Sequence, residues 1–376
     1  MYSESYFHSI ITYMFARYNT RKTGFPSRKS YFLIFLILLL ASACSAGEQE
    51  QLPTPQVERI IPTATLIPTF TPTITATPRF TSTPLPTITP TPNPFAEYSL
   101  DALSARSFGG GVIQIEGTLA NSSAFSRYIF KYRSEGLDLY GFMNVPAGDG
   151  PFPVVVLLHG YVDPAEYSTL AYSTRYADAL AEAGYIVLHP NLRGYGASQN
   201  AYNPVGMGDT IDTLNLLALV RSQAGVSGPL EKADGAHIGI WGHSMGGGIV
   251  LKVIEIDHNI DAALLYASIN ADEKINLAFF EFDGRGNFKL QTTDEVLRSL
   301  SASTYLDRIN AVLSIHHGTA DTVVPEEWSH SLCSDLGTLQ KEVFCYFYDD
   351  QPHTFQNSGD TLFIRRMIEF FDSYLR

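Results

Sequence analysis

From about residue 127 onward the chain alternates short apolar runs with longer stretches in which apolar residues recur every three or four positions. The short runs are SRYIFKY (126–132), LDLYGFMNV (137–145), PVVVLLH (153–159), YIVLHP (185–190), HIGIWG (237–242), AALLYAS (262–268), AVLSIHH (311–317) and VFCYFY (343–348). Short apolar runs bounded by turn residues predict strands, and the uninterrupted central ones suit strands covered on both faces. Helical spacing fills 169–183, 208–223, 245–257, 326–337 and 361–374. Strands alternating with helices imply right-handed crossovers and a mainly parallel sheet. The first two runs are joined by RSEG alone and are expected to pair antiparallel. The pattern therefore predicts an α/β domain over residues 96–376, with an eight-stranded, mostly parallel sheet and helices on both faces. An insertion at about 270–305 interrupts the alternation; it is rich in aromatic and acidic residues, including Phe279, Phe280, Glu281, Phe282 and Asp283. It reads equally well as a lid or as a surface excursion around a local aromatic cluster.

The N-terminal part is patterned differently. Residues 31–43, YFLIFLILLLASA, form an apolar run behind Arg28 and Lys29, too short to span a bilayer as a helix. A basic region, an apolar region and small residues before a cleavage point are the parts of a signal peptide. The run ends in LLLASAC, which resembles a bacterial lipoprotein signal in which Cys44 is lipidated and becomes the mature N-terminus. Ala41 stands where that family prefers leucine, so an ordinary cleaved signal or an uncleaved anchor stays open. Met14 is a second candidate start, since the residues before it add nothing to such a signal. Eleven of the 21 prolines fall between Pro53 and Pro94, interleaved with threonine. That density blocks helices and ladder pairing, so residues 45–95 are expected to form an extended, semi-rigid stalk. The order is signal (1–44), stalk and catalytic domain, which implies an extracytoplasmic protein held to a membrane by lipid, or else a secreted one.

Charge narrows the partners. The formal net charge is −13, and the first 43 residues hold five basic residues against one acidic. Removing them leaves 20 basic and 37 acidic residues, a remainder of −17 that repels phosphate backbones and argues against nucleic acid.

The candidate chemistry begins at GHSMGG (242–247), between the strand HIGIW and the helical run MGGGIVLKVIEI. A strand, a tight turn flanked by glycines and a helix together make a nucleophile elbow, which lifts a serine above the sheet at a helix N-terminus. Ser244 is the candidate nucleophile, and it needs a base whose tautomer is fixed by an acid. Asp321 follows the strand AVLSIHH, and His353 follows the strand VFCYFY. Parallel strand ends converge on one rim, so Ser244, Asp321 and His353 are expected to meet there. Asp349 and Asp350 are weaker acids for the role because they share a loop with His353, and His316 and His317 read as strand-end residues, not as the base. The oxyanion hole needs two backbone N–H groups. Met245, after the nucleophile, and Tyr161, in HGYVDP after the strand VVVLLH, are the candidates.

The ordered set VVVLLHG, NLRGYGAS (191–198), IGIWGHSMGG, HHGTADTVVP and QPHTF resembles an alpha/beta-hydrolase. Within that fold it is similar to the catalytic domain of prolyl oligopeptidases and to dienelactone-hydrolase-like proteins. The resemblance implies Ser244, Asp321 and His353 as triad and Tyr161 and Met245 as oxyanion hole. It places Arg193, with Gly194 and Gly196, in a loop near the site, although Asn191 stands where that loop often opens with aspartate. Arg193, Phe279 and Phe280 are therefore candidate substrate contacts. The residues before the domain are too few for the propeller that gates prolyl oligopeptidases, which favours an esterase over a peptidase acting on short peptides or acylated amino acids. A non-catalytic surface binding module is the alternative of another class. No metal or cofactor is implied. Cys333 and Cys345 flank the stretch leading to His353 and are compatible with a disulfide in an exported domain or with two buried thiols.

Overall fold

The computed structural model describes residues 93–283 and 290–376, all within the second of two compact units, Pro86–Arg376. Cys44, the apolar run and the stalk up to residue 92 lie outside the described residues. The strands are β1 (Gln114–Asn121), β2 (Phe125–Ser134), β3 (Leu137–Pro146), β4 (Phe152–Leu158), β5 (Ile186–Pro190), β6 (Ala233–His243), β7 (Ala262–Tyr266), β8 (Val312–Gly318) and β9 (Val343–Tyr348). Among the described residues they form one sheet in the order β1-β2-β3-β5-β4-β6-β7-β8-β9. Pairings from β1 to β2, β2 to β3 and β3 to β5 are antiparallel, and every pairing from β5 through β4 to β9 is parallel.

The expected eight strands are all present, and the sheet has a ninth, β1. Its side chains are almost all exposed, and its pairing with β2 slips register twice. Such a strand buries no face, so it leaves no hydrophobic period to read; edge pairing and bulges hold it instead.

The helices are α1 (Leu100–Ser104), α2 (Thr174–Glu182), α3 (Met207–Gln223), α4 (Met245–Ile256), α5 (Glu273–Asp283), α6 (Asp294–Leu300), α7 (Glu326–Thr338) and α8 (Asn357–Leu375). Strand pleating sorts them into two layers. In β4, Val154, Val156 and Leu158 pack in one core with Leu214 and Leu217 of α3, Ile249 of α4 and Leu332 of α7. Val155 and Leu157 point the other way, against Tyr176 and Leu180 of α2 and Phe363, Met367 and Phe371 of α8. The apolar residues of α8 recur at i, i+4 and i+8, a single stripe on an otherwise polar helix, whereas α4 is buried along nearly its whole length. Helix α2 begins five residues later than its apolar spacing suggests, at Thr174. The insertion supplies α5 and α6.

Candidate active site

Each candidate side chain stands just past the carboxyl end of a parallel strand, on one rim of the sheet, where open α/β sheets place their sites. Ser244 follows β6 directly. Its backbone is held at φ 56°, ψ −117°, a region costly for a residue with a Cβ. Three backbone bonds hold it there: its N–H donates to Tyr266 O (2.9 Å), and its carbonyl accepts from Gly247 (3.0 Å) and Ile269 (3.2 Å). The flanking glycines are steric requirements. A Cβ on Gly242 would lie 2.3 Å from Gly246 O, and one on Gly246 would lie 2.4 Å from Leu158 O.

Asp321 and His353 are brought together, with His353 Nδ1 at 2.7 Å from Asp321 Oδ2. Two backbone N–H groups, Val323 at 2.7 Å and Val324 at 2.9 Å, donate to Oδ1. A fourth donor, His317 Nε2, lies 3.1 Å from Oδ2. Burial alone would raise the Asp321 pKa, but the hydrogen bonds from His317 and His353 outweigh it and hold the carboxyl well below its ordinary value. Asp321 is therefore a fixed carboxylate that orients the His353 ring, while the exposed Asp350 donates its backbone N–H to Thr319 Oγ1 (2.9 Å). Ser244 and His353 line the same cavity, and no hydrogen bond joins them among the described residues. Such bonds commonly tighten only once substrate is bound.

That cavity has a volume of about 460 Å³ and takes walls from both layers, with Trp241 and Tyr266 on one side and Met245 and Ile249 on the other. Gly160, Tyr161 and Met245 border it beside Ser244. Met245 is the first residue of α4, so its N–H has no acceptor within the helix and is oriented to meet developing charge. Behind Tyr161, buried His159 donates from Nδ1 to Gly160 O (2.8 Å) and accepts the Leu192 N–H at Nε2 (3.3 Å). Burial lowers its pKa to about 4, so the ring is a neutral strut that sets the loop carrying Tyr161.

Three further residues escaped the reading of the sequence. His243 donates from Nε2 to the backbone carbonyl of His353 (3.1 Å), and its ring packs 4.6 Å from the His353 ring. Burial, reinforced by the His353 ring, lowers the His243 pKa to about 3. Lys252 and Glu273, from α4 and α5, also line the cavity and form an ion pair at 2.6 Å. The spacing of 245, 248, 249 and 252 is the signal that points to Lys252; nothing in the sequence ties it to Glu273.

Two expected substrate contacts are corrected. Arg193 does not line the cavity: its guanidinium is bidentate on Asp212 (2.6 and 3.0 Å) and also bonds Glu135 (3.0 Å) and Tyr202 O (3.0 Å). It braces the loop after β5 against α3. Phe279 packs on Trp328 with ring centroids 5.0 Å apart and is absent from the cavity wall, whereas Phe280 is part of it. Both rings touch Trp328, but successive helical residues point about 100° apart, so only Phe280 reaches the cavity. Cys333 of α7 and Cys345 of β9 are joined by a disulfide. Among the described residues no group of three or more His, Cys, Asp or Glu side chains is placed to hold a metal ion.

The same stretch of chain has counterparts of known identity. Epoxide hydrolase A of Mycobacterium tuberculosis is 36% identical over 129 residues, which is 34% of this chain and 35% of that protein. The chain thus spans about a third of the length of this curated relative. Acetyl xylan esterase 1 from a Thermoanaerobacterium species superposes with a TM-score of 0.54 at 19% identity, covering 74% of this chain and 94% of its own. The Pyrococcus horikoshii acylaminoacyl peptidase superposes with a TM-score of 0.53 at 21% identity, covering 72% and 51%. These structural likenesses concern the fold. Residues 153–354, more than half of the chain and bounded by the oxyanion-loop strand and the His353 loop, match the profile of the alpha/beta hydrolase fold, and the chain belongs to that family.

Proposed function

We propose that this protein is an extracytoplasmic serine hydrolase that cleaves carboxylic esters through an acyl-enzyme. The observation that carries the proposal is the strained Ser244 at the N-terminus of α4, sharing a cavity with a His353 ring bonded to a buried, ionised Asp321. His353 Nε2 takes the proton from Ser244 Oγ as it attacks the ester carbonyl, and Asp321 steadies the Nδ1–H of the resulting imidazolium. The backbone N–H groups of Met245 and Tyr161 receive the negative charge of the tetrahedral intermediate. Its collapse breaks the ester bond, the departing alkoxide takes the proton from His353, and water then repeats the sequence to free the acid.

An ester is favoured over a peptide by the lining of the cavity. Its lysine and glutamate are paired with each other, so a peptide terminus finds neither of them free as a counter-charge. Placement outside the cytoplasm, with lipid on Cys44 as the anchor, is supported by LLLASAC and by the Cys333–Cys345 disulfide, a bond that persists in oxidising compartments.

Labelling with a fluorophosphonate probe tests the nucleophile. Wild type should label, while Ser244→Ala and His353→Ala should not; equal labelling of all three removes the triad, and an unlabelled wild type points to a binding module. Faster turnover of aminoacyl p-nitroanilides than of p-nitrophenyl esters would replace the esterase by a peptidase. A radiolabelled fatty acid should be incorporated in the host cell and lost in Cys44→Ser.

A further inference from the structure

A buried pair of charged groups stands in the wall of a mainly apolar cavity, away from the residues that perform the chemistry. Met245, Gly248, Ile249 and Lys252 line it at positions i, i+3, i+4 and i+7 of α4, so the cavity follows one face of the nucleophile's own helix. A rise of 1.5 Å per residue puts the Lys252 Cα about 12 Å along the axis from Ser244, and its side chain leans back from there, so that the ammonium and Ile249 both lie against Gly206. Glu273, Asn276, Leu277 and Phe280 repeat the same spacing on α5. The Lys252–Glu273 pair joins the two helices at one end. At the other, Phe280 packs on Trp328 of α7 (centroids 6.2 Å), close in sequence to Val324, whose N–H holds Asp321. The helices thus run in opposite senses as two walls of the cavity, with the ion pair in the lining away from Ser244.

The ion pair has unused hydrogen-bonding capacity. The Lys252 ammonium has three N–H donors; Val205 O and Glu273 Oε1 take two, and no acceptor among the described residues takes the third. Glu273 Oε2 accepts one long bond, from Asn276 Nδ2 at 3.2 Å. The pair is buried, at 2% and 5% side-chain exposure, and its charges cancel. A charged ligand group would be desolvated there without a counter-ion, and a methyl group would leave the third donor unmet. A hydroxyl or primary amide satisfies both partners.

The geometry points to a substrate whose chain carries a neutral hydroxyl or amide tip at the Lys252–Glu273 end of the cavity, with Lys252 and Glu273 as the residues that select it. This selection rests on the serine-hydrolase reading. It is tested with p-nitrophenyl octanoate, p-nitrophenyl ω-hydroxyoctanoate and p-nitrophenyl succinate half-ester, and with acetate esters of octanol and octanediol for the alcohol side of the bond. The hydroxyl-tipped member of at least one pair is expected to have a kcat/KM higher by roughly tenfold, with the charged half-ester disfavoured. In Lys252→Met/Glu273→Leu, which removes both charges together, the hydroxyl preference should vanish or invert. Both rates come from one preparation, so partial unfolding cancels from the ratio. Wild-type ratios near unity in both series overturn the selection while Ser244-dependent turnover of p-nitrophenyl acetate leaves the hydrolase reading standing. Absence of that turnover, with no fluorophosphonate labelling, overturns both.

Discussion

Asp321→Asn changes one atom, and the surroundings dictate which way the new amide faces. Oδ1 receives two backbone N–H groups, from Val323 and Val324, at 2.7 and 2.9 Å. An NH2 group opposite two donors is untenable, so the asparagine carbonyl must take that place. The NH2 then occupies the position of Oδ2 and faces His353 Nδ1, now at 2.7 Å. It donates, and the imidazole must carry its proton on Nε2, where the Ser244 proton was to go. His317 Nε2, at 3.1 Å from the same atom, keeps its other acceptor, Val324 O, at 3.2 Å. The ring geometry is preserved and the tautomer is wrong. The loss expected from a wrong tautomer in such a triad is about 10⁴ in kcat, or about 5 kcal/mol of transition-state stabilisation. KM should change little, because Asp321 is not part of the cavity wall. The assay is steady-state hydrolysis of p-nitrophenyl acetate, with active sites counted by fluorophosphonate. Asp321→Ala, which imposes no tautomer, should be no worse than Asp321→Asn. Retention of activity within tenfold of wild type by Asp321→Asn would refute the assignment of the acid.

Other consequences are open to measurement. His159, His189, His243 and His316 are buried, and desolvation lowers their pKa values to about 4, 3, 3 and 3. Their folded values lie below the unfolded value near 6.5, so the unfolded chain binds protons first and stability is lost as pH falls from 6.5 toward 4. Asp209, raised by burial to about 6, acts in the opposite sense; the net difference of roughly three protons gives a slope on the order of 4 kcal/mol per pH unit near pH 5, and a urea midpoint unchanged between pH 6.5 and 5 contradicts it. Removing the Cys333–Cys345 bridge, which spans 12 positions, by a double alanine substitution should cost about 3 kcal/mol in thermal or urea unfolding. Gly246→Ala, with its Cβ 2.4 Å from Leu158 O, should cost about 3 kcal/mol or more and abolish labelling of Ser244. Gly337→Ala, on α7 with open space around the new methyl, should instead stabilise by up to about 1 kcal/mol; a fall in unfolding midpoint there contradicts the packing.

The juxtaposition of the candidate triad was legible because parallel strands convert order along the chain into position on a rim. Ser244, Asp321 and His353 each follow an apolar run directly, so locating the runs located the residues. Arg193 was misread for the opposite reason. Its partners Glu135 and Asp212 are 58 and 19 positions away, and nothing local reveals that its charge is already spent on them. Phe279 and Phe280 are chemically identical neighbours that both touch Trp328, and only the rotation of α5 brings Phe280 alone into the cavity wall. Lys252 stands in the apolar run GGGIVLKVIEI, where a lysine reads as a surface position, until α5 supplies Glu273. Strand β1 is ordered by main-chain pairing, which has no side-chain period.

The Lys252–Glu273 pair also makes two segments depend on each other for stability. One partner belongs to the helix that follows Ser244; the other belongs to the insertion. A transplanted insertion without an acid at position 273 would strand a buried ammonium beside the nucleophile helix, at a cost of about 3–5 kcal/mol. New segments are therefore accepted in this scaffold only when they bring a carboxylate to that point, or when Lys252 has first been replaced by a neutral residue.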